Sequence, residues 1–134
     1  MGLIVSIKCE KCGNTIDLRT GCGLRDHDLN RVIVYFSEDN QRVIREAISK
    51  HENEKQRQWE FRRMIARCDS SGKIKSLPTF HVIKAGEADL VAWECNCGGT
   101  HYFYSESNLS DRTETCQCPE CGAQMTYGEI GHWD

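Results

Sequence analysis

The sequence predicts an α+β chain, with small cysteine-bearing β-hairpins toward both ends and a central helical insertion between them. Three observations predict it. Cysteines come as close pairs followed by glycine, at Cys9/Cys12, Cys95/Cys97 and Cys118/Cys121. Short β-prone segments flank those pairs. Between them, apolar residues recur at helical spacing in a polar, basic stretch. The chain divides accordingly into residues 1–36 (a knuckle hairpin and a strand), 37–80 (a basic helical segment) and 81–134 (a second knuckle unit), packed as one compact domain. Its 134 residues can bury a core. Nine cysteines inflate the hydrophobic share of 39%, however, and without them it is roughly a third, which is lean for a globular chain.

At the N-terminus, Leu3, Val5 and Ile7 alternate with polar residues, as do Ile16 and Leu18 after a turn, which is a two-stranded pattern. At its tip lies Cys9-Glu-Lys-Cys12-Gly13-Asn14. Such a turn aims two thiolates at one point, and its glycine takes a conformation that a Cβ would oppose. Cys22 is the nearest further sulfur and the expected third ligand, with His27 a candidate fourth; alternatively, Cys9 and Cys12 reach across the fold to His101 or Cys116. Leu29 to Phe36 is apolar and β-branched and reads as a strand, although Asp28 could cap a short helix there.

Ser37, followed by Glu38 and Asp39, has the chemistry of a helix start. Val43, Ile44, Ala47 and Ile48 form an apolar stripe, which Trp59, Met64, Ile65 and Cys68 continue beyond a wholly polar run. The segment therefore reads as one long helix, or two joined near Glu52-Asn53. Cys68, inside that stripe, is expected to be a buried thiol and not a ligand. Lys55, Arg57, Arg62, Arg63 and Arg67, then Lys73 and Lys75, form a basic face. It is either solvated or paired with the acidic C-terminal part of the chain, or it is a surface for nucleic acid or another polyanion. Residues 69–78 have turn chemistry, and His81 to Ile83 form a short strand.

Leu90 to Glu94 and Thr100 to Ser105 read as strands around Cys95-Asn-Cys97-Gly, and Thr113 to Cys116 leads into Cys118-Pro-Glu-Cys121-Gly122. Cys95, Cys97, Cys118 and Cys121 are expected to close one tetrahedral shell of four sulfurs, with His101 and Cys116 as neighbours or spare ligands. On these motifs the segment resembles a zinc ribbon. The fuller pattern is Lys8-Cys-Glu-Lys-Cys-Gly13, Gly21-Cys-Gly-Leu24, a helical middle and two terminal knuckles. It is similar to the small bacterial zinc-ribbon proteins of unassigned function, over about residues 1–30 and 90–127. Where that pattern has Cys-x-x-Cys-Gly in its middle knuckle, this chain has the tighter Cys95-Asn-Cys97-Gly. The resemblance implies one or two bound zinc ions and no established reaction.

The net charge of −3 conceals local nets of −1 over residues 1–54, +6 over 55–84 and −8 over 85–134. With Arg112 its single basic residue, the last part is poorly suited to gripping a phosphate backbone, so a nucleic acid would meet the middle. Thiolate clusters need nearby donors or cations, and the basic segment is the expected source. An odd number of closely paired cysteines, and no basic region followed by an apolar core at the N-terminus, favour the cytoplasm. No apolar run approaches the roughly twenty residues that cross a bilayer, so no membrane partner is expected. No His-Glu-x-x-His motif, glycine-rich phosphate loop or nucleophile elbow is present. The expected function is thus a non-enzymatic zinc-binding module, an adaptor for a protein or a nucleic acid. The alternative is a metal-dependent hydrolase or nuclease-like enzyme using Asp26, His27, Asp28 or His101 at an incomplete second site. A third reading puts iron in place of zinc, in a rubredoxin-like electron carrier.

Overall fold

The alternation read in Leu3–Ile7 and Ile16–Leu18 forms the expected hairpin: β1 (Gly2–Cys9) pairs with β2 (Thr15–Thr20), setting Val5 against Leu18 and Ile7 against Ile16. The computed structural model describes residues 2–50, 58–111 and 116–134. After a 3-10 turn (Leu24–His27) come α1 (Leu29–Val32), a second 3-10 turn (Ile33–Tyr35) and α2 (Glu38–Ser49). The chain continues through β3 (Trp59–Cys68), β4 (Ile74–Lys84), β5 (Glu87–Trp93), β6 (His101–Phe103), α3 (Glu106–Ser110) and β7 (Met125–Trp133). Two antiparallel sheets result, one ordered β2-β1-β7 and the other β5-β4-β3-β6. Thus the first sheet is made from the two ends of the chain, and the second from the segment between them. They meet where Gly21, just past β2, exchanges two backbone hydrogen bonds with Arg63 of β3, of 2.9 and 2.7 Å. No helix among the described residues is long and apolar enough to cross a membrane.

Two expectations for the middle of the chain are corrected. Leu29 to Phe36 forms helical turns and not a strand. The Asp28 carboxylate accepts from the Asn30 N–H at 3.0 Å, and Leu29, Val32, Ile33 and Phe36 recur at helical spacing, all in one cluster packed with the second sheet. Burying those four together requires a helix; a strand would have split them between two faces. Residues 59–68, read as helix, are instead the strand between β4 and β6. Phe61 and Ile65 are buried on one side, Ala66 and Cys68 on the other, and a strand buried on both faces loses the alternation that would mark it in sequence. The helix expected at Ser37 is present, its hydroxyl accepting from Asn40 N–H at 3.3 Å and Ile44 facing the core. The joint near Glu52-Asn53 and the entering strand at 113–115 lie outside the described residues.

The core has two parts. Val5, Ile7, Met125, Tyr104 and Leu109 pack the first sheet against α3 and the ends of β3 and β4. Phe36, Ile44, Phe61 and Phe80 pack the helices on the second sheet, where the Phe36 ring meets Phe61 and Phe80 edge-on at 6.2 and 6.4 Å. On the opposite face of that sheet, Thr79 Oγ1 donates to the Arg62 carbonyl at 2.8 Å and lies 2.9 Å from Nε2 of the buried His81. Desolvation, and secondarily the Arg62 charge, push His81 down to about 4 from its usual 6.5. The unfolded chain therefore takes up this proton first: the stabilisation is complete above about pH 6.5 and is lost as pH falls toward 4. Arg62 is partly solvated, so the expected loss is on the order of 1–2 kcal/mol by pH 5. Urea unfolding of the parent and of His81→Gln at pH 7 and pH 5 measures it. The parent should lose more stability between the two, and equal losses would exclude His81 as the titrating group.

Candidate metal centres

Two groups of side chains gather at the strand ends. In the first, Cys9 and Cys12 occupy the turn between β1 and β2, and Cys118 and Cys121 the turn that leads into β7. Because β7 runs antiparallel beside β1 with Met125 opposite Cys9, the two turns stand side by side. Each is built the same way. Cys9 N–H donates to the Asn14 carbonyl and Gly13 N–H to the Cys9 carbonyl, at 2.8 and 2.9 Å; Cys118, Gly122 and Ala123 repeat the pattern at 2.7 and 2.8 Å. Gly13 and Gly122 have φ of 78° and 76°, in the left-handed region that glycine accepts without strain. The sulfurs approach across the pair, Cys9 to Cys121 at 3.4 Å and Cys12 to Cys118 at 3.6 Å.

The second group combines Cys68 at the end of β3, Cys95 and Cys97 in the turn after β5, and His101 at the start of β6. Cys68 and Cys95 sulfurs are 3.7 Å apart, and Cys97 Sγ is 3.1 Å from His101 Nε2. β6 pairs with β3 so that His101 lies opposite Cys68. α2 steadies the approach: Glu94 Oε2 accepts from the Ser37 N–H and from Asn40 Nδ2, at 3.1 and 2.6 Å, and Asn40 Nδ2 also donates to the Trp93 carbonyl. In each group, all four candidate ligand atoms lie within 4.8 Å of one another. Four zinc–sulfur bonds of about 2.3 Å place sulfurs about 3.8 Å apart at the edges of a tetrahedron. The observed separations are of that size, and far longer than a disulfide.

The electrostatics of both groups call for a cation. The Gly99 N–H, then the neighbouring thiols, bring Cys97 down to about 6. Burial raises Cys118, yet the N–H groups of Cys121 and Glu120 outweigh it and bring that thiol to about 6. The backbone at Cys12 lowers Cys9. Their neighbours move the other way. Burial, then Cys97 and Cys95, push Cys68 up to about 11, and although the Asn14 N–H favours its thiolate, Cys12 is driven to about 12 by Cys9 and burial. Each cluster thus favours a thiolate at some positions and opposes it at their neighbours, an opposition that a divalent cation would relieve. Lys75 Nζ lies 3.7 Å from Cys95 Sγ and Asn14 Nδ2 3.8 Å from Cys118 Sγ, so the basic segment supplies one of the donors that thiolates need.

The structure does not bring Cys95 and Cys97 to Cys118 and Cys121, because one turn adjoins a strand of the second sheet and the other a strand of the first. Cys22 and His27 are also placed elsewhere. β2 carries the chain away from the Cys9 turn for about 20 Å, and Cys22 and His27 line a cleft with Trp59 and Glu60. Cys116 is buried in the core and its carbonyl accepts from Met125 N–H, outside both groups. Cys68, expected to be a bystander, belongs to the second group. The readable signal was Cys68-Asp-Ser-Ser-Gly72, which has the cysteine-to-glycine spacing of the other two turns. The basic residues do not form one helical face either. Strand alternation sends Arg62 to one side of the sheet and Arg63 and Arg67 to the other. Arg62 meets Glu60 and Arg67 meets Asp69, both at 3.4 Å, while Arg63 lies 4.9 Å over the Tyr35 ring. Lys73 is exposed at the turn after β3, and Lys55 and Arg57 lie outside the described residues.

Among the described residues, fold and sites together define an α+β protein of two sheets with two cysteine-rich groups that could each hold a metal ion, which fits a zinc-binding protein. Compared with models of known protein families, with curated proteins and with solved structures, the chain finds no match.

Proposed function

We propose that this is a non-enzymatic zinc-binding module in which both groups hold structural zinc, the first as a zinc-ribbon site. The observation that carries this reading is the shell of four sulfurs from two like-built turns on adjacent strands, Cys9, Cys12, Cys118 and Cys121. Zinc held by four thiolates has no open position for a substrate or water, whereas catalytic zinc keeps one. The acids that a hydrolytic reading would use have structural work: Asp26 accepts from the Gly23 N–H at 2.7 Å, and Asp28 caps α1 and meets Arg31 at 3.6 Å. Neither belongs to a group with the cysteines.

What the surface offers supports an adaptor role. Arginines that a nucleic acid would need are divided between two faces, and two of them are matched by acids. Leu24, Val34 and Tyr35, by contrast, are exposed along one short stretch, and apolar side chains of that kind suit a protein partner. Native mass spectrometry with elemental analysis, combined with alkylation of unbound thiols, tests the metal assignment. Two zinc ions per chain are expected, with Cys22 and Cys116 the thiols left outside the sites. A single ion with about five unbound thiols would sink the two-site reading, and a red-brown protein carrying iron would replace zinc with the electron-carrier alternative.

A further inference from the structure

The two groups share more than cysteine. In the first sheet, a hairpin (β1 and β2) carries one turn, and the second turn leads into β7, which pairs with β1. In the second sheet, a hairpin (β3 and β4) carries one turn, and the second turn leads into β6, which pairs with β3. The strand orders β2-β1-β7 and β4-β3-β6 are therefore the same arrangement, the second inserted in the chain between the hairpin and the last turn of the first.

The match extends to single hydrogen bonds. Cys68 N–H donates to the Lys73 carbonyl at 2.9 Å and Gly72 N–H to the Cys68 carbonyl at 2.7 Å, as Cys9, Asn14 and Gly13 do in the first turn. Gly72 has φ of 71° beside 78° at Gly13. Cys68 thus stands where Cys9 stands, and Ser71 where Cys12 does. The backbone treats the two side chains alike: Lys73 N–H reaches Ser71 Oγ at 3.3 Å, and the Asn14 N–H favours the Cys12 thiolate. On the partner strand, Met125 lies opposite Cys9 and His101 opposite Cys68, each four residues after a cysteine of the second turn, Cys121 or Cys97.

We infer that the protein is built from two nested copies of one metal ribbon, and that in the inner copy the fourth ligand has moved from the turn position, now Ser71, to the strand position His101. The inner site is thereby a three-thiolate, one-imidazole site for a tetrahedral divalent cation, while the outer site keeps four thiolates. One hydroxyl and one imidazole exchange places with one thiol and one thioether; the first turn keeps its backbone hydrogen bonds, and the second is one residue shorter, Cys95-Asn-Cys97 beside Cys118-Pro-Glu-Cys121. This inference rests on the reading of both groups as metal sites.

The test uses the full-length chain titrated with cobalt(II), which reports thiolate ligands through sulfur-to-metal charge-transfer absorption, together with native mass spectrometry. The unaltered chain should bind two ions through seven thiolates. Fewer than two ions would defeat the two-site reading itself and is distinguishable from any result on the variants. His101→Met should weaken the second ion at least a hundredfold and leave the first. Ser71→Cys combined with His101→Met should restore it, with charge-transfer absorption raised from seven thiolates to eight. Failure of that double variant to regain the second ion overturns the inference, provided it folds. Ser71→Cys alone, at an exposed turn position, covers the case in which it does not: the new thiol should displace the His101 imidazole from the inner ion, and so be shielded from alkylation when metal is bound and exposed after chelation. Equal alkylation rates in the two states would show that position 71 does not face the site.

Discussion

Stripped of metal by a strong chelator at neutral pH, the protein should lose its tertiary structure, and zinc should restore it. A structural zinc site is worth about 10–16 kcal/mol in isolated finger peptides, which is comparable with the roughly 5–15 kcal/mol that holds a whole domain together. Here the dependence should be acute at the outer site. Its four sulfurs join the first hairpin to β7, two segments more than a hundred residues apart, and Cys9 and Cys118 are themselves buried in the cluster that packs this sheet. Without a cation, ionised sulfurs 3.4 and 3.6 Å apart across the two turns would repel one another. Near-ultraviolet circular dichroism and limited proteolysis should both report the change, with cleavage appearing first in residues 2–20 and 116–134. If all metal is removed and both signals stay as they were, the structural role is wrong.

Cys68→Ser should release the inner metal and destabilise the chain by several kcal/mol, whereas Cys22→Ser should keep both metals and change stability by less than about 1 kcal/mol. The contrast follows from placement. Cys68 is fully buried, its sulfur 3.7 Å from that of Cys95, so serine there removes a ligand and leaves a hydroxyl without its metal. Cys22 is partly exposed in a cleft, away from both groups, and surface substitutions are usually worth within about 0.5 kcal/mol. Metal content per chain and urea unfolding of the two variants decide it. The reverse outcome, metal lost with Cys22 and kept without Cys68, would reinstate a site of Cys9, Cys12 and Cys22.

The turn chemistry was legible. Cys-x-x-Cys-Gly at Cys9 and Cys118 specifies its own backbone through short-range hydrogen bonds and a left-handed glycine, and both turns form as expected. So do the first hairpin and the start of α2 at Ser37. The turns and the helix start depend on residues within about five positions of one another, and the hairpin grows outward from its turn.

Residue chemistry alone therefore puts several pairs of thiols at turn tips between strands, in an α+β chain. Which pairs meet was decided by strand order, and strand order is a property of long-range pairing. β7 chose β1 and β6 chose β3, and each choice carried one turn to its partner. Cys68 was hidden for the same reason: in β3, both faces are buried, so Trp59, Met64, Ile65 and Cys68 imitate a helical stripe until β4 and β6 lie beside them. Leu29 to Phe36 erred in the opposite direction, its β-branched residues overruled by four side chains that fit one cluster only as a helix. Local chemistry makes the ligands, and the tertiary structure assembles them, because a tetrahedral site needs donors from segments whose separation in sequence carries no signal of their closeness in space.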